Sequence, residues 1–164
     1  MTYDVLDNLV AMSVDQTATV AQQYQWTYYP HDLVQSITAP NGLQTTYVYD
    51  HNDQVIFTRV TDGTIHKDYR YTYNANGELV KLVAPNGAET RWIRDGLGRV
   101  TEMRDDQGTR TLVTYDQQNL PIQVKVKDAT GTTLKKTEYE YNSVGWTMKK
   151  KEYTKQGTQW SAGQ

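Results

Sequence analysis

The feature of this sequence that most constrains its fold is a residue spacing that recurs along almost the whole chain. It is clearest after Tyr73, where Gly77 follows four positions on, Leu79 and Leu82 follow at six and nine, and Gly87 closes the unit at fourteen. We call the opening residue of each copy its anchor, and the anchors are Tyr3, Tyr28, Tyr49, Tyr73, Arg94, Tyr115 and Tyr141. Consecutive anchors are 25, 21, 24, 21, 21 and 26 residues apart. The chain is therefore a tandem array with a base period of 21 residues and a few insertions in loops.

Within each period, apolar and polar residues alternate with a two-residue repeat, which is the pattern of half-buried β-strands. Tyr69, Tyr71 and Tyr73, for example, are separated by Arg70 and Thr72. Turn residues recur roughly every ten positions, as an antiparallel meander requires. We predict an all-β fold in which each period is one β-hairpin and successive hairpins form a curved antiparallel sheet.

Two sets of turns connect the predicted strands. One set repeats the sequence Ala-Pro-Asn-Gly, at 39–42 and 84–87, where proline presets one corner and glycine supplies a positive φ. The other set follows each anchor, where an aspartate side chain can accept hydrogen bonds from turn N–H groups. We predict structural turn roles for Asn41, Gly42, Asp50, Gly77, Asn86, Gly87, Gly98, Asp116 and Gly145.

Composition and motifs argue against catalysis and against cofactors. The chain has no cysteine, and its net charge of -2 favours neither nucleic acid nor an acidic membrane surface as a partner. His31, His51 and His66 do not pair at metal-ligand spacing, and none of the serines lies in a nucleophile elbow. Residues 50–53 fail the calcium-loop pattern because Gln54 replaces the required residue. We predict a protein that is not an enzyme, with no catalytic residue, no metal site and no cofactor.

The aromatic residues leave two interpretations open. The chain has 13 Tyr and 4 Trp but a single Phe, so one face of the sheet should be aromatic. Such a stripe either packs within the sheet or binds a sugar ring or a partner protein. The residues we expect to carry such binding are Tyr69, Tyr71, Trp92, Tyr139 and Tyr141. The basic run at 149–151 is typical of a protected strand edge, with anion binding as the alternative.

Several copies carry a recognisable motif. Tyr49-Asp50, Tyr115-Asp116 and the segment 95–100 (Asp-Gly-Leu-Gly-Arg-Val), each followed by a late glycine, resemble the tyrosine-aspartate (YD) repeats of rearrangement-hotspot (Rhs) proteins. These repeats also occur in wall-associated bacterial toxins, in shell subunits of insecticidal toxin complexes and in teneurins. The resemblance covers about residues 3–157. It implies a bacterial, toxin-associated protein whose repeats spiral into a hollow shell around a toxic segment.

The resemblance also sets expectations about the whole protein. Self-cleavage in such shells lies near an Asp-Pro motif, and no Asp-Pro dipeptide occurs here, so no catalytic residue is carried over. We expect residues 1–164 to be a single repeat array and a fragment of a longer protein that is secreted or displayed at the cell surface. The first residues contain no signal peptide pattern, and no apolar run is long enough to span a membrane.

Two functional hypotheses follow. In the first, the array is a structural wall whose partners are the rest of its own shell and an enclosed toxin segment. In the second, it is a recognition module whose aromatic face binds cell-surface carbohydrate or protein. Because a cut sheet exposes edges and faces, self-association is expected in either case.

Overall fold

The computed structural model describes residues 1–14, 22–156 and 159–162, and confirms the all-β prediction. The strands are β1 (Thr2–Tyr3), β2 (Leu9–Val14), β3 (Gln22–Tyr28), β4 (Val34–Thr38), β5 (Gln44–Tyr49), β6 (Val55–Thr61), β7 (His66–Tyr73), β8 (Leu79–Val83), β9 (Glu89–Arg94), β10 (Val100–Arg104), β11 (Arg110–Tyr115), β12 (Pro121–Lys127), β13 (Thr133–Tyr141), β14 (Thr147–Gln156) and β15 (Gln159–Ala162). Within each unit described below, the order of the strands in the sheet is their order in the chain. No helix able to cross a membrane occurs in the part of the chain that the structure describes.

The chain divides into two compact units, Met1–Tyr73 with Leu82–Gly87 and Asn74–Lys81 with Ala88–Gln164. In the first unit, strands β1 to β7 pair antiparallel, each with the next. In the second unit, strands β9 to β15 do the same. The idea that residues 1–164 form one array within a longer protein stays a prediction.

Each anchor turn displaces the strand register in the same way. Tyr49 pairs with Val55, six residues later, and the register shifts between Val48 and Tyr49, which marks a β-bulge at this point of the hairpin. Arg94 pairs in the same way with Val100, although the anchor is not aromatic. The residue four positions after the anchor has a positive φ, as at Asp53 (59°) and Gly98 (80°). Asp, Asn and Gly are the residues that tolerate this left-handed conformation, which explains the turn composition.

The described residues contain no buried apolar side chain, so the sheet has no hydrophobic core of the usual kind there. The buried side chains are instead those of Ser36, Thr58 and Thr137. Thr58 lies directly opposite both Tyr47 and Tyr69, whose rings flank it. The fold is therefore stabilised by cross-strand pairs and hydrogen bonds rather than by a second packed layer.

Cross-strand register assigns the side chains to faces within each unit. In the first unit, the aromatic face carries Tyr24, Trp26, Ile37, Tyr47, Thr58, Val60 and Tyr69. In the second unit, the aromatic face carries Trp92, Met103, Val113, Val124, Val126, Thr137 and Tyr139. The opposite face of the second unit is polar, and includes Arg91, Glu102, Arg104, Arg110, Lys125, Lys127, Lys136 and Glu138.

Candidate functional site

A hydrogen bond from the anchor side chain recurs between successive hairpins, and we call it the inter-hairpin tie. The anchor hydroxyl donates to the backbone carbonyl of the residue six positions after the preceding anchor. The five tyrosine ties are Tyr28 to Leu9, Tyr49 to Val34, Tyr73 to Val55, Tyr115 to Val100 and Tyr141 to Pro121, all at 2.8 to 2.9 Å. The anchor therefore joins its own hairpin to the hairpin before it.

The position of the tie follows from where the strand ladder ends. Between β4 and β5, backbone pairing starts at Ser36 opposite Thr46 and does not reach Val34. The Val34 carbonyl thus lies beyond the ladder, and the hydroxyl of Tyr49 takes the place of the missing backbone donor. An unpaired carbonyl at a half-buried site costs free energy, so each tie should contribute about 0.5–1.5 kcal/mol.

The surroundings of three anchors, Tyr49, Tyr73 and Tyr141, favour the protonated hydroxyl. Burial raises the pKa of Tyr49 above its ordinary value of 10.0, and the neighbouring Tyr47 and Tyr29 add to the effect. Burial likewise raises the pKa of Tyr73 and of Tyr141. The three hydroxyls therefore remain hydrogen-bond donors well into the alkaline range.

Arg94 makes the tie without an aromatic ring. Its Nη2 donates to the Leu79 carbonyl at 3.2 Å, which is the equivalent of the tyrosine tie, and its Nη1 donates to the Gly98 carbonyl at 2.8 Å. Its Nε is buried and has no hydrogen-bond partner within the described residues. The arginine copy of the repeat thus preserves the tie but leaves one polar atom unsatisfied.

Replacing this arginine tests whether the tie is what the anchor position needs. We expect the free energy of unfolding of Arg94→Tyr to lie within about 1 kcal/mol of the wild type. The tyrosine hydroxyl restores the tie, and the substitution removes the unpaired Nε. Arg94→Leu should lose about 1–3 kcal/mol, because the Leu79 carbonyl then has no donor. Urea unfolding followed by circular dichroism measures both. A leucine variant as stable as the tyrosine variant would show that the tie contributes nothing at this anchor.

After every anchor except Tyr28, the next residue organises the turn through its side chain. The Oδ1 of Asp50 accepts the N–H groups of Asn52 at 2.9 Å and Gln54 at 3.0 Å. Asp116 makes the same pair of bonds, and Asn74 and Asn142 do so with an amide oxygen. In the second set of turns, the Oδ1 of Asn41 accepts the N–H of Leu43 at 3.1 Å. These bonds give one side-chain oxygen of each turn residue a structural role.

Contacts between successive turns were not foreseen from the sequence. The Nδ2 of Asn8 donates to Asp32 at 2.9 Å, and the Nη1 of Arg99 donates to Asn119 at 2.8 Å. In both cases position five of one repeat contacts position four of the next. The signal that could have revealed them is the pairing of these two positions after the repeats are aligned, rather than any local motif.

The structure places the five predicted binding residues at separate points. Tyr69 and Tyr71 lie on β7 in the first unit, whereas Trp92 lies on β9 and Tyr139 and Tyr141 lie on β13 in the second. All are half-buried. Trp92 is opposite Met103. Tyr139 and Tyr141 stack on each other with ring centroids 6.3 Å apart and planes 19° apart.

Each unit contains a cleft beside an anchor. The larger one, about 860 Å³, lies in the second unit and is lined by Leu120, Ile122, Tyr139, Tyr141 and Val144 among others. The other, about 530 Å³, lies in the first unit beside Tyr29 and Tyr49, whose rings meet edge to face. No group of three metal-ligating side chains occurs among the described residues. The clefts offer aromatic contact surface and hydrogen-bonding groups.

Comparison with known proteins identifies the repeats. The RHS Repeat family model matches residues 28–64 and 73–110. These two segments are RHS repeats, which confirms the resemblance inferred from the anchor motifs. No curated protein matches the sequence.

Three solved structures with a similar fold each name a TccC3 component. The crystal structure of TcdB2-TccC3 superposes with a TM-score of 0.78 at 12% identity, covering 93% of this chain and 9% of that one. TcdB2-TccC3-Cdc42 gives a TM-score of 0.68 at 12% identity over 98% of this chain and 11% of that one. The Tc holotoxin pore of Photorhabdus luminescens gives a TM-score of 0.62 at 13% identity, covering 84% of this chain and 9% of that one. The likeness shows a shared fold, and this chain spans about a tenth of the length of those chains.

Proposed function

We propose that this chain is a non-enzymatic segment of a larger RHS-repeat β-shell, which encloses or presents a toxin polypeptide. The observation that carries the proposal is the inter-hairpin tie, because the same bond joins each hairpin to the one before it. A unit that bonds only to its neighbours can be repeated without limit, which is how repeat proteins build large walls.

Exposed apolar side chains support the same proposal. None of the described apolar side chains is buried, and large apolar residues such as Leu97 (73% exposed) and Trp146 (74% exposed) remain uncovered. An apolar surface of this kind needs a polypeptide against it. In the proposed shell, the enclosed segment or adjoining repeats cover it. Export of the protein and a bacterial source belong to the same proposal, and rest on the RHS repeats and on the toxin assembly named for one structural neighbour.

The stacked Tyr139–Tyr141 pair favours a second candidate, a carbohydrate- or protein-binding module. Stacked rings beside an open cleft suit a sugar ring or a flat side chain. If this candidate is correct, Tyr139→Ala should abolish binding to a glycan or protein ligand without changing the secondary structure. Tyr139 is the better choice of variant, since Tyr141 also makes a tie.

The oligomeric state of the isolated chain tests the wall proposal. Strand β1 in the first unit and strand β15 in the second each pair with one neighbouring strand, and an unpaired strand edge is a template for association. We expect the mass measured by light scattering to rise over about a hundredfold range of concentration and to fall again on dilution. A constant monomer mass over that range would contradict a role as one segment of a continuous wall.

A further inference from the structure

The polar face of the second unit carries a row of basic residues in directly opposed positions. Arg91 on β9 faces Arg104 on β10, Arg104 faces Arg110 on β11, and Arg110 faces Lys127 on β12. Like charges directly opposite each other destabilise a sheet. Four opposed basic residues in a chain of net charge -2 should therefore be stabilised by negatively charged groups close to them.

One half of the row has its anions within the chain. The Nη2 of Arg91 lies 2.7 Å from the Oε2 of Glu89, and the Nη2 of Arg104 lies 2.7 Å from the Oε1 of Glu102. Each of these glutamates is two residues before its arginine, on the same strand and the same face. The β9 and β10 end of the row is thus neutralised.

The other half has no such anions. Arg110 and Lys127, together with Lys125 on the same face, form no ion pair within the described residues, and we call these three the basic patch. The carboxylates of Asp105 and Asp128, in the adjoining turns, accept backbone N–H groups of their own turns at 2.7 to 3.0 Å. All three cations of the patch are only half-buried and remain accessible to a partner.

The surface beside the patch is shaped to receive a small anionic group. A cleft of about 250 Å³ is lined by Arg104, Gly108, Arg110 and Ala129, with no carboxylate in its lining. A second cleft, of about 400 Å³, begins at Lys125 and is lined further by Gln123, Thr133, Lys136 and Tyr153. The basic patch therefore has an indentation on either side, each bordered by cationic side chains.

We propose that the basic patch docks an acidic polypeptide segment, with side-chain carboxylates bound by Arg110 and Lys127. A guanidinium presents a planar pair of donors that matches a carboxylate, and a lysine adds a point charge beside it. The proposal is independent of the wall role, because it concerns the polar face and not the ties.

The composition of the face favours a peptide over a uniformly charged polymer. Leu112 lies opposite Lys125, and Tyr153 lies opposite Lys136, so apolar side chains stand beside the cations on this face. Glu102 and Glu138 stand on the same face and would repel a continuous chain of phosphates or sulfates. A peptide that alternates carboxylates with apolar residues avoids this repulsion.

Fluorescence anisotropy tests the proposal with a fluorescein-labelled peptide of about ten residues that alternates glutamate and alanine, at low salt. The wild type is expected to bind it saturably, and the double variant Arg110→Gln/Lys127→Gln should bind about tenfold more weakly or worse. A double variant with the same change of charge at exposed sites, Lys67→Gln/Lys155→Gln, should stay within about twofold. Circular dichroism checks that all three proteins share one fold.

Four results would overturn the proposal. The first is no saturable binding by the wild type up to about 1 mM peptide. The second is equal binding of a peptide in which glutamine replaces glutamate. The third is an unchanged affinity in the Arg110→Gln/Lys127→Gln variant. The fourth is tighter binding of single-stranded DNA or heparin of matched length, which would assign the patch to a different class of partner.

Discussion

Tyr49→Ala is expected to lower the free energy of unfolding by about 3 kcal/mol or more. The variant loses the tie to the Val34 carbonyl, worth about 1 kcal/mol. It also loses the ring contacts with Tyr29, 6.1 Å away and edge to face, and with Tyr47, 6.5 Å away. Because a domain is stable by only about 5–15 kcal/mol, urea unfolding should show the loss clearly.

Tyr3 provides the matched control for this prediction. It holds the same place in the repeat, but among the described residues its hydroxyl makes a hydrogen bond only to the sulfur of Met1 and makes no inter-hairpin tie. Its side chain is also 54% exposed. Tyr3→Ala should therefore stay within about 0.5 kcal/mol of the wild type. Equal losses at Tyr3 and Tyr49 would mean that the ring matters for a local reason unrelated to the tie.

Gly108→Ala is expected to lower the free energy of unfolding by about 2–5 kcal/mol. Gly108 has a φ of 80°, where an L-residue costs about 1–2 kcal/mol. In addition, the new Cβ would stand 2.9 Å from the Cβ and 3.4 Å from the Cα of Ala129 in the adjoining turn. A backbone neighbour cannot swing aside as a flexible side chain can, so overpacking should add about 1–3 kcal/mol.

Gly87→Ala separates the two contributions. Gly87 closes a similar turn with a φ of 84°, but a Cβ there would meet nothing within 4 Å. The free energy of unfolding of Gly87→Ala should fall only by the cost of the positive φ, about 1–2 kcal/mol. Adding Ala129→Gly to Gly108→Ala should recover the overpacking part, with Ala129→Gly alone as the reference. If Gly87→Ala and Gly108→Ala cost the same, contact between adjoining turns does not limit the residue at position 108.

The hairpins and their turns could be predicted because their determinants are local. A strand face follows from two-residue alternation, and a turn follows from the conformational range of Asn, Gly and Pro. The spacing after Tyr73 therefore indicated the β8 hairpin and the closing turn at Gly87 without any knowledge of neighbours. The RHS-repeat identity followed from the same local pattern once several copies were aligned.

The ties could not be predicted because their acceptors are neither local nor at a fixed distance. Tyr49 reaches back 15 residues to Val34, whereas Tyr28 reaches back 19 residues to Leu9, because the loops between repeats differ in length. A backbone carbonyl also leaves no mark in the sequence. From the sequence, Arg94 is therefore interpreted as the anchor of a degenerate repeat, although it makes the same inter-hairpin tie as a tyrosine.

The charge pattern shows the same limit. The run at 149–151 is visible in the sequence, but strand alternation places Lys149 and Lys151 on one face and Lys150 on the other. Lys149 lies opposite Glu140 and Lys151 lies opposite Glu138. Lys150 lies opposite Tyr139. The opposed row of basic residues from Arg91 to Lys127 is scattered along the sequence and is assembled only by strand register. The aromatic residues show the same limit, because the two-residue period places a ring on one face of the sheet but does not specify which molecule contacts that ring.

The inter-hairpin tie is the central claim, and removing only the hydroxyl tests it most directly. Urea unfolding should be measured for phenylalanine variants of two sets of tyrosines. The anchors are Tyr28, Tyr49, Tyr73, Tyr115 and Tyr141. The comparison set, whose hydroxyls make no hydrogen bond within the described residues, is Tyr24, Tyr47, Tyr69, Tyr71 and Tyr139.

The free energy of unfolding of each anchor variant should be about 0.5–1.5 kcal/mol lower than that of the wild type. The free energy of unfolding of each comparison variant should stay within about 0.5 kcal/mol of the wild type. Both sets keep the ring, so a difference between them isolates the bond to the preceding hairpin. Overlapping losses in the two sets would contradict the claim that the anchor hydroxyls hold successive repeats together.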